Sequence, residues 1–264
     1  MSFKLKALVL ATALSASFSM NASADLATGS NGELVFTVYT LLDGKETSWA
    51  LDTGVTLSAF NAGVGTNTPY SFNTDANYTS WYAGLDAGQR SSLQWNLLAV
   101  DTVGTQNYLT TMTSTIIGVT SNASQTNDLT RTFGTAFGGF SAGFNSAFAG
   151  SSTADNGSVV AASKTANGFA GTLNGNWAGN LKFGNASADI GTDLNVYNIQ
   201  AAATGTSTSV WSQIANSGTP YTASFDGATF QVAAVAAVPE AETSAMLLAG
   251  IGLIGVIVRR RKLV

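Results

Sequence analysis

The chain has 264 residues, of which only 10% are charged, with a net charge of −4, no cysteine and no histidine. Without histidine there can be no Ser-His-Asp or Cys-His catalysis and no His-ligated zinc or haem, and without cysteine there is no disulfide framework. Carboxylate chemistry and oxygen-ligand calcium sites stay open.

The N-terminus carries an export pattern. Lys4 and Lys6 form a basic start, Ala7 to Phe18 an apolar stretch diluted by Ala and Ser, and Ala22-Ser23-Ala24 a small-residue cleavage site. A signal peptide over 1–24 is predicted, handled by the export machinery and cut by signal peptidase after Ala24. Ala22 and Ala24 are the two small residues that such a cut requires. A cytosolic amphipathic helix would not need the A-x-A ending. Residues 25–232 then form the body, with thirteen acidic residues against five basic ones, a balance of −8. Such a surface repels phosphate backbones and anionic lipid, so no nucleic-acid partner is expected. Five Trp, 14 Phe and seven Tyr supply enough apolar surface for one folded body and argue against disorder.

Taken in order, Glu33 to Leu41 reads as a strand, with Leu34, Phe36 and Val38 on one face. Asp43-Gly44 is a hairpin turn signal, and Glu46 to Leu51 its returning strand. Val55 to Phe60 suggests a short helix. Tyr78, Trp81, Tyr82 and Leu85 fall at helical spacing behind the candidate caps Asn73 and Asp75. Ser91 to Val103 reads as a strand carrying Trp95. Phe133, Phe137, Phe140, Phe144 and Phe148 put five rings on one helical stripe, with cap candidates at Thr126, Asn127 and Asp128 and a stop at Gly150. Glycines 134, 138, 139 and 143 oppose that helix by about 1 kcal/mol each. Gly168 to Phe183, with Trp177, suggests loosely paired strands. A strand around Leu194, Val196, Tyr197 and Ile199 follows, then a loop over 201–209. A hairpin closes the body, Tyr221 to Phe225 and Ala228 to Val232 about Asp226-Gly227. The elements predict a mainly β, single β-sandwich-like body with one or two short helices and the Phe-striped helix laid on a sheet.

Candidates for chemistry in the body are few. Glu33 and Glu46 are its only glutamates and the aspartates are scattered, so neither a catalytic centre nor a cofactor is expected. Asp189, Asp193 and Asn195 form a possible oxygen cluster. Their spacing lacks the D-x-D-x-D-G order, which points to an Asx-capped turn and no metal site. Trp49, Trp81, Trp95, Trp177 and Trp211 fit either a core or a surface that stacks on sugar rings. The tripeptides starting at Asn77, Asn122 and Asn185 fit the N-glycosylation pattern, which an Asn/Ser/Thr-rich chain produces readily.

The end of the chain is organised differently. A small-residue linker at 233–237 leads to Val238, Pro239 and Glu240, and then to an uncharged run from Thr243 to Val258. The run spans 16 residues, roughly 24 Å as a helix against a hydrocarbon core of ~30 Å. Arg259, Arg260, Arg261 and Lys262 follow it and would hold the C-terminus in the cytoplasm. Over 238–264 this layout resembles the sorting signal of PEP-CTERM proteins of Gram-negative bacteria. In them a Val-Pro-Glu-Pro type motif, one transmembrane helix (here 243–258) and an Arg-rich tail come in that order. Ala241 stands where that pattern has a second proline. The resemblance implies passage through the inner membrane, cleavage near the motif by exosortase, and delivery to the cell surface or extracellular matrix. There it implies a structural or adhesive role with exopolysaccharide and biofilm. A permanent membrane anchor is the alternative for the tail, and a carbohydrate-binding module with an aromatic site is the alternative for the body.

Overall fold

A computed structural model describes residues 26, 29, 31–66, 70–101, 107–113, 122–148, 157–173, 185–201 and 208–234. Strand β1 (Glu33–Thr40) is buried along its whole length. Leu34, Phe36 and Val38 point into one apolar cluster, while Val35 and Tyr39 point into another. A strand with both faces covered lies in the middle of a sheet, and period-2 alternation hands its side chains to two separate layers.

The other strands are β2 (Thr47–Thr56), β3 (Tyr70–Asn73), β4 (Gln94–Val100), β5 (Asn107–Met112), β6 (Asn122–Thr126), β7 (Ser158–Ala161), β8 (Ala188–Asp189), β9 (Leu194–Gln200), β10 (Thr208–Gln213), β11 (Ala215–Asn216), β12 (Thr219–Phe225) and β13 (Thr229–Ala234). Among the described residues they form one sheet, in the order β3-β13-β12-β9-β5-β4-β1-β2-β7. β10 extends it on the β9 side and pairs in turn with β6. Every pairing is antiparallel.

The predicted sandwich is corrected to a single sheet curled on itself as a half-barrel. In strand order β4, β5 and β9 separate β1 from β12. Yet the Phe36 ring lies 4.7 Å from that of Phe230 and 4.9 Å from that of Phe225. Twist accumulated across the strands brings these interior faces together, and Trp49, Trp95 and the three Phe rings fill the space between them.

Two helices belong to the interior. α1 (Leu57–Gly65) starts on Thr56, whose hydroxyl caps it, and buries Leu57, Phe60 and Val64. α2 (Ala76–Gly84), capped by Asp75, buries Tyr78 and Trp81. It spans the opening between the two ends of the strand path. It follows directly on β3, and its Asn77 amide donates to the Ser158 hydroxyl of β7 (3.0 Å). Trp81 Nε1 donates to Thr47 Oγ1 at 2.9 Å. A short third helix, α3 (Ala87–Ser91), carries a reciprocal capping box between Asp86 and Gln89.

The predicted Phe-striped helix is α4 (Asn127–Phe148), and all five rings are buried against the outer face of the sheet. A β-carbon on Gly143 would sit 2.8 Å from the Gly168 backbone nitrogen, and one on Gly134 would sit 2.9 Å from the Tyr108 hydroxyl. Two of the glycines that opposed the helix are thus what let it approach its neighbours. Leu26 is pinned to the same helix: its N–H donates to Asn145 Oδ1 (2.8 Å) and its carbonyl accepts from Asn145 Nδ2 (3.3 Å).

Three local expectations change. Residues 168–173 form successive turns, with bonds such as Leu173 N to Ala170 O at 3.1 Å, and no strand. Gly168 at φ +73 breaks an extended path there, and Phe169 and Leu173 are buried all the same. The strand expected over 91–103 begins only at Gln94, because Ser91 ends α3. Thr208 and Ser209 belong to β10 and not to the preceding loop. Gly150 and Trp177 lie outside the described residues. Among the described residues no helix is long and apolar enough to cross a membrane, and 243–258 lies outside them.

Candidate functional site

Along four strands the interior face of the half-barrel changes from apolar to polar as it nears one mouth. On β9, Leu194 and Val196 enter the interior cluster, and the same alternation brings Asn198 and Gln200 to that face. Register sets Val210 of β10 opposite Gln200 and Ser212 opposite Asn198. Asn107 of β5 also faces Gln200. On β4, Leu97 and Ala99 are interior, and the next residue in phase is Asp101, whose N–H donates to the Asn107 carbonyl (2.8 Å).

α1 lies across this mouth. Leu57 and Asn61, one turn apart, face the cleft together with Ser58. Asn198 Nδ2 donates to Asn61 Oδ1 at 3.0 Å and ties strand to helix. Asn31, in the left-handed region at φ 69, accepts from the Ser58 N–H at 2.8 Å, which fixes the first turn of α1. The result is an open cleft of about 680 Å³. Among the described residues its polar lining is carboxamide and hydroxyl with a single carboxylate, Asp101, and no cation; Val210 is its exposed apolar side chain, while those of Leu57 and Ile199 are buried in the two core clusters.

A second notable group is Asp52, 3% exposed. It stands opposite Val35 on the outer face, where the β1–β2 register slips between Glu33 and Val35. Gly54, at φ +63, makes the bulge possible, and its N–H donates to Asp52 Oδ1 (2.9 Å). Burial pushes the Asp52 carboxyl up to about 7, the Gly54 bond opposes this, and the Glu33 charge adds to it. Glu46, the other glutamate of the body, pairs with Lys164 at 2.8 Å, and that bond holds its carboxyl below the usual range.

The sites read from the sequence are placed as follows. Trp49, Trp81, Trp95 and Trp211 are core residues, each no more than 8% exposed, so these four offer no stacking platform. The Asp189 carbonyl accepts from Thr192 N–H in a turn, and Asn195 Oδ1 accepts from Gln213 Nε2 (3.0 Å). Among the described residues no cluster of acidic side chains is arranged to hold a metal ion. Ala22, Ala24, Val238, Pro239, Glu240, Arg259, Arg260, Arg261 and Lys262 lie outside the described residues. Sequence reasoning missed the cleft and Asp52. The available signal was the run Asn195-Val-Tyr-Asn-Ile-Gln200, in which amides continue an apolar face.

The last described strand, β13, ends at Ala234, and the segment that follows carries a recognisable motif. Residues 237–262 match the family described as the PEP-CTERM protein-sorting motif. The chain carries a PEP-CTERM sorting signal. The motif implies an exported protein that is transiently anchored in the membrane, with exosortase as its processing partner. The match covers the tail and leaves the body unassigned. No curated protein and no solved structure matches the chain.

Proposed function

We propose that the body is a non-catalytic structural or adhesive component of the extracellular matrix, released from the inner membrane by exosortase and associated with exopolysaccharide in biofilm. The observation that carries this reading is the sorting motif at 237–262 directly behind a completed sheet. A cut near Pro239 leaves every described strand with the body, since β13 ends at Ala234. The acidic body balance of −8 fits a protein that stays off anionic membranes once freed. The alternative of a tryptophan-based sugar platform is weakened by the burial of Trp49, Trp81, Trp95 and Trp211.

Intact-mass measurement of the protein from its producing cells, combined with fractionation of the culture, tests both halves. The expected product lacks residues 1–24 and the segment beyond about Val238, and sediments with the polysaccharide. A full-length C-terminus in cells with working exosortase would overturn the processing. A correctly trimmed product that never accompanies the polysaccharide would overturn the matrix role.

A further inference from the structure

We propose that the polar mouth between α1 and the β9–β10 ribbon is the binding site for a neutral saccharide chain. This rests on the matrix reading above and gives it a location. The lining offers hydrogen-bond donors and acceptors side by side on Asn31, Asn61, Asn107, Asn198 and Gln200. A carboxamide presents two N–H donors and a carbonyl acceptor, which matches the donor-acceptor character of vicinal sugar hydroxyls. The Asn198–Asn61 bond engages only one atom of each amide. The exposed Val210 supplies apolar surface for the C–H face of a ring. The scaffold is rigid where it matters, since the strand residues are held in ladders and α1 is bonded to both Asn31 and Asn198.

Other ligand classes fit worse. Among the described residues no Lys or Arg lines the cleft to meet a phosphate or sulfate, and Asp101 repels acidic polymers. A single carboxylate is too few for a calcium ion. The opening is too polar for a lipid or an apolar helix.

Affinity electrophoresis of the processed protein tests this, in gels containing either neutral dextran, the exopolysaccharide extracted from the producing cells, or acidic polygalacturonate. Retardation is expected with at least one of the first two and not with the third. The double variant Asn61→Ala/Gln200→Ala, at two exposed positions, should weaken retardation about tenfold while melting within a few degrees of the parent. Tyr82→Ala, which removes an exposed aromatic far from the cleft in the chain, should leave it unchanged. Retardation that survives the double variant, or that Tyr82→Ala abolishes, overturns the site while leaving the matrix role intact. No retardation of the parent in any gel overturns the site and the matrix reading together.

Discussion

Replacing Asp52 by asparagine removes a carboxyl that the fold holds in an apolar layer. Its side chain stands with Val35 and beside the bulge at Gly54, and an asparagine oxygen can still accept the Gly54 N–H. The carboxyl moves from 3.8 to about 7 on folding. At ~1.4 kcal/mol per pH unit this corresponds to about 4 kcal/mol in favour of the neutral form. Because the folded value is the higher one, the contribution is fully present below about pH 4. It is lost progressively as pH rises toward 7, and it stays lost above that. Urea denaturation of parent and Asp52→Asn from pH 4 to 9 isolates this term. Differencing the two proteins cancels Glu46, Asp86 and Asp226, whose carboxyls are held low and act in the opposite direction. The variant should gain on the parent steadily between pH 4 and 7, by about 4 kcal/mol relative to their difference at pH 4, and then level off. A difference that stays flat across the range would refute the burial argument.

Gly139→Ala should raise stability by about 0.5–1 kcal/mol, because α4 gains a better helix former where nothing lies within 4 Å. Gly143→Ala should lower it, since the added carbon meets the Gly168 backbone at 2.8 Å; equal stabilisation by both variants in a thermal melt would contradict the packing. Leu26→Ala should cost about 2–5 kcal/mol, the range for a buried leucine. A loss under ~0.5 kcal/mol in the same melt would show that the segment at Leu26 does not dock on α4.

Much of the fold was legible because its signals are local. The run Glu33 to Leu41 alternates apolar faces over a full strand, and Asp43-Gly44 and Asp226-Gly227 mark hairpins in which Gly44 and Gly227 do adopt positive φ. The Phe stripe was legible as a helix despite its glycines, and the close approaches at Gly134 and Gly143 give the reason they are there. The curl of the sheet was not legible. Whether Phe36 meets Phe225 and Phe230 depends on twist summed over the intervening strands, and no local period encodes it. β3 and β7, four residues each, are too short to show a pattern. The cleft was hidden for a related reason. Its amides come from Asn31, α1, β5 and β9, and they become neighbours only once register is fixed. Asp52 was one of many scattered aspartates until the β1–β2 slip placed it beside Val35.

Strand direction ties the cleft to the tail. β9 and β13 are both antiparallel to β12, so they run the same way. Ala234 lies opposite Tyr221, and Asn195 lies opposite Thr222, which puts Asn198 and Gln200 farther along toward the end from which the chain leaves β13. The Tyr221 hydroxyl donates to the Val64 carbonyl at 3.3 Å, so α1 sits at that end as well. From Ala234 to Pro239 is five residues, a reach of about 17 Å at full extension. On the route proposed above, a segment 243–258 held in the bilayer would keep this mouth near the membrane surface. On the same route, a cut near Pro239 would free the end that carries the amide-lined cleft.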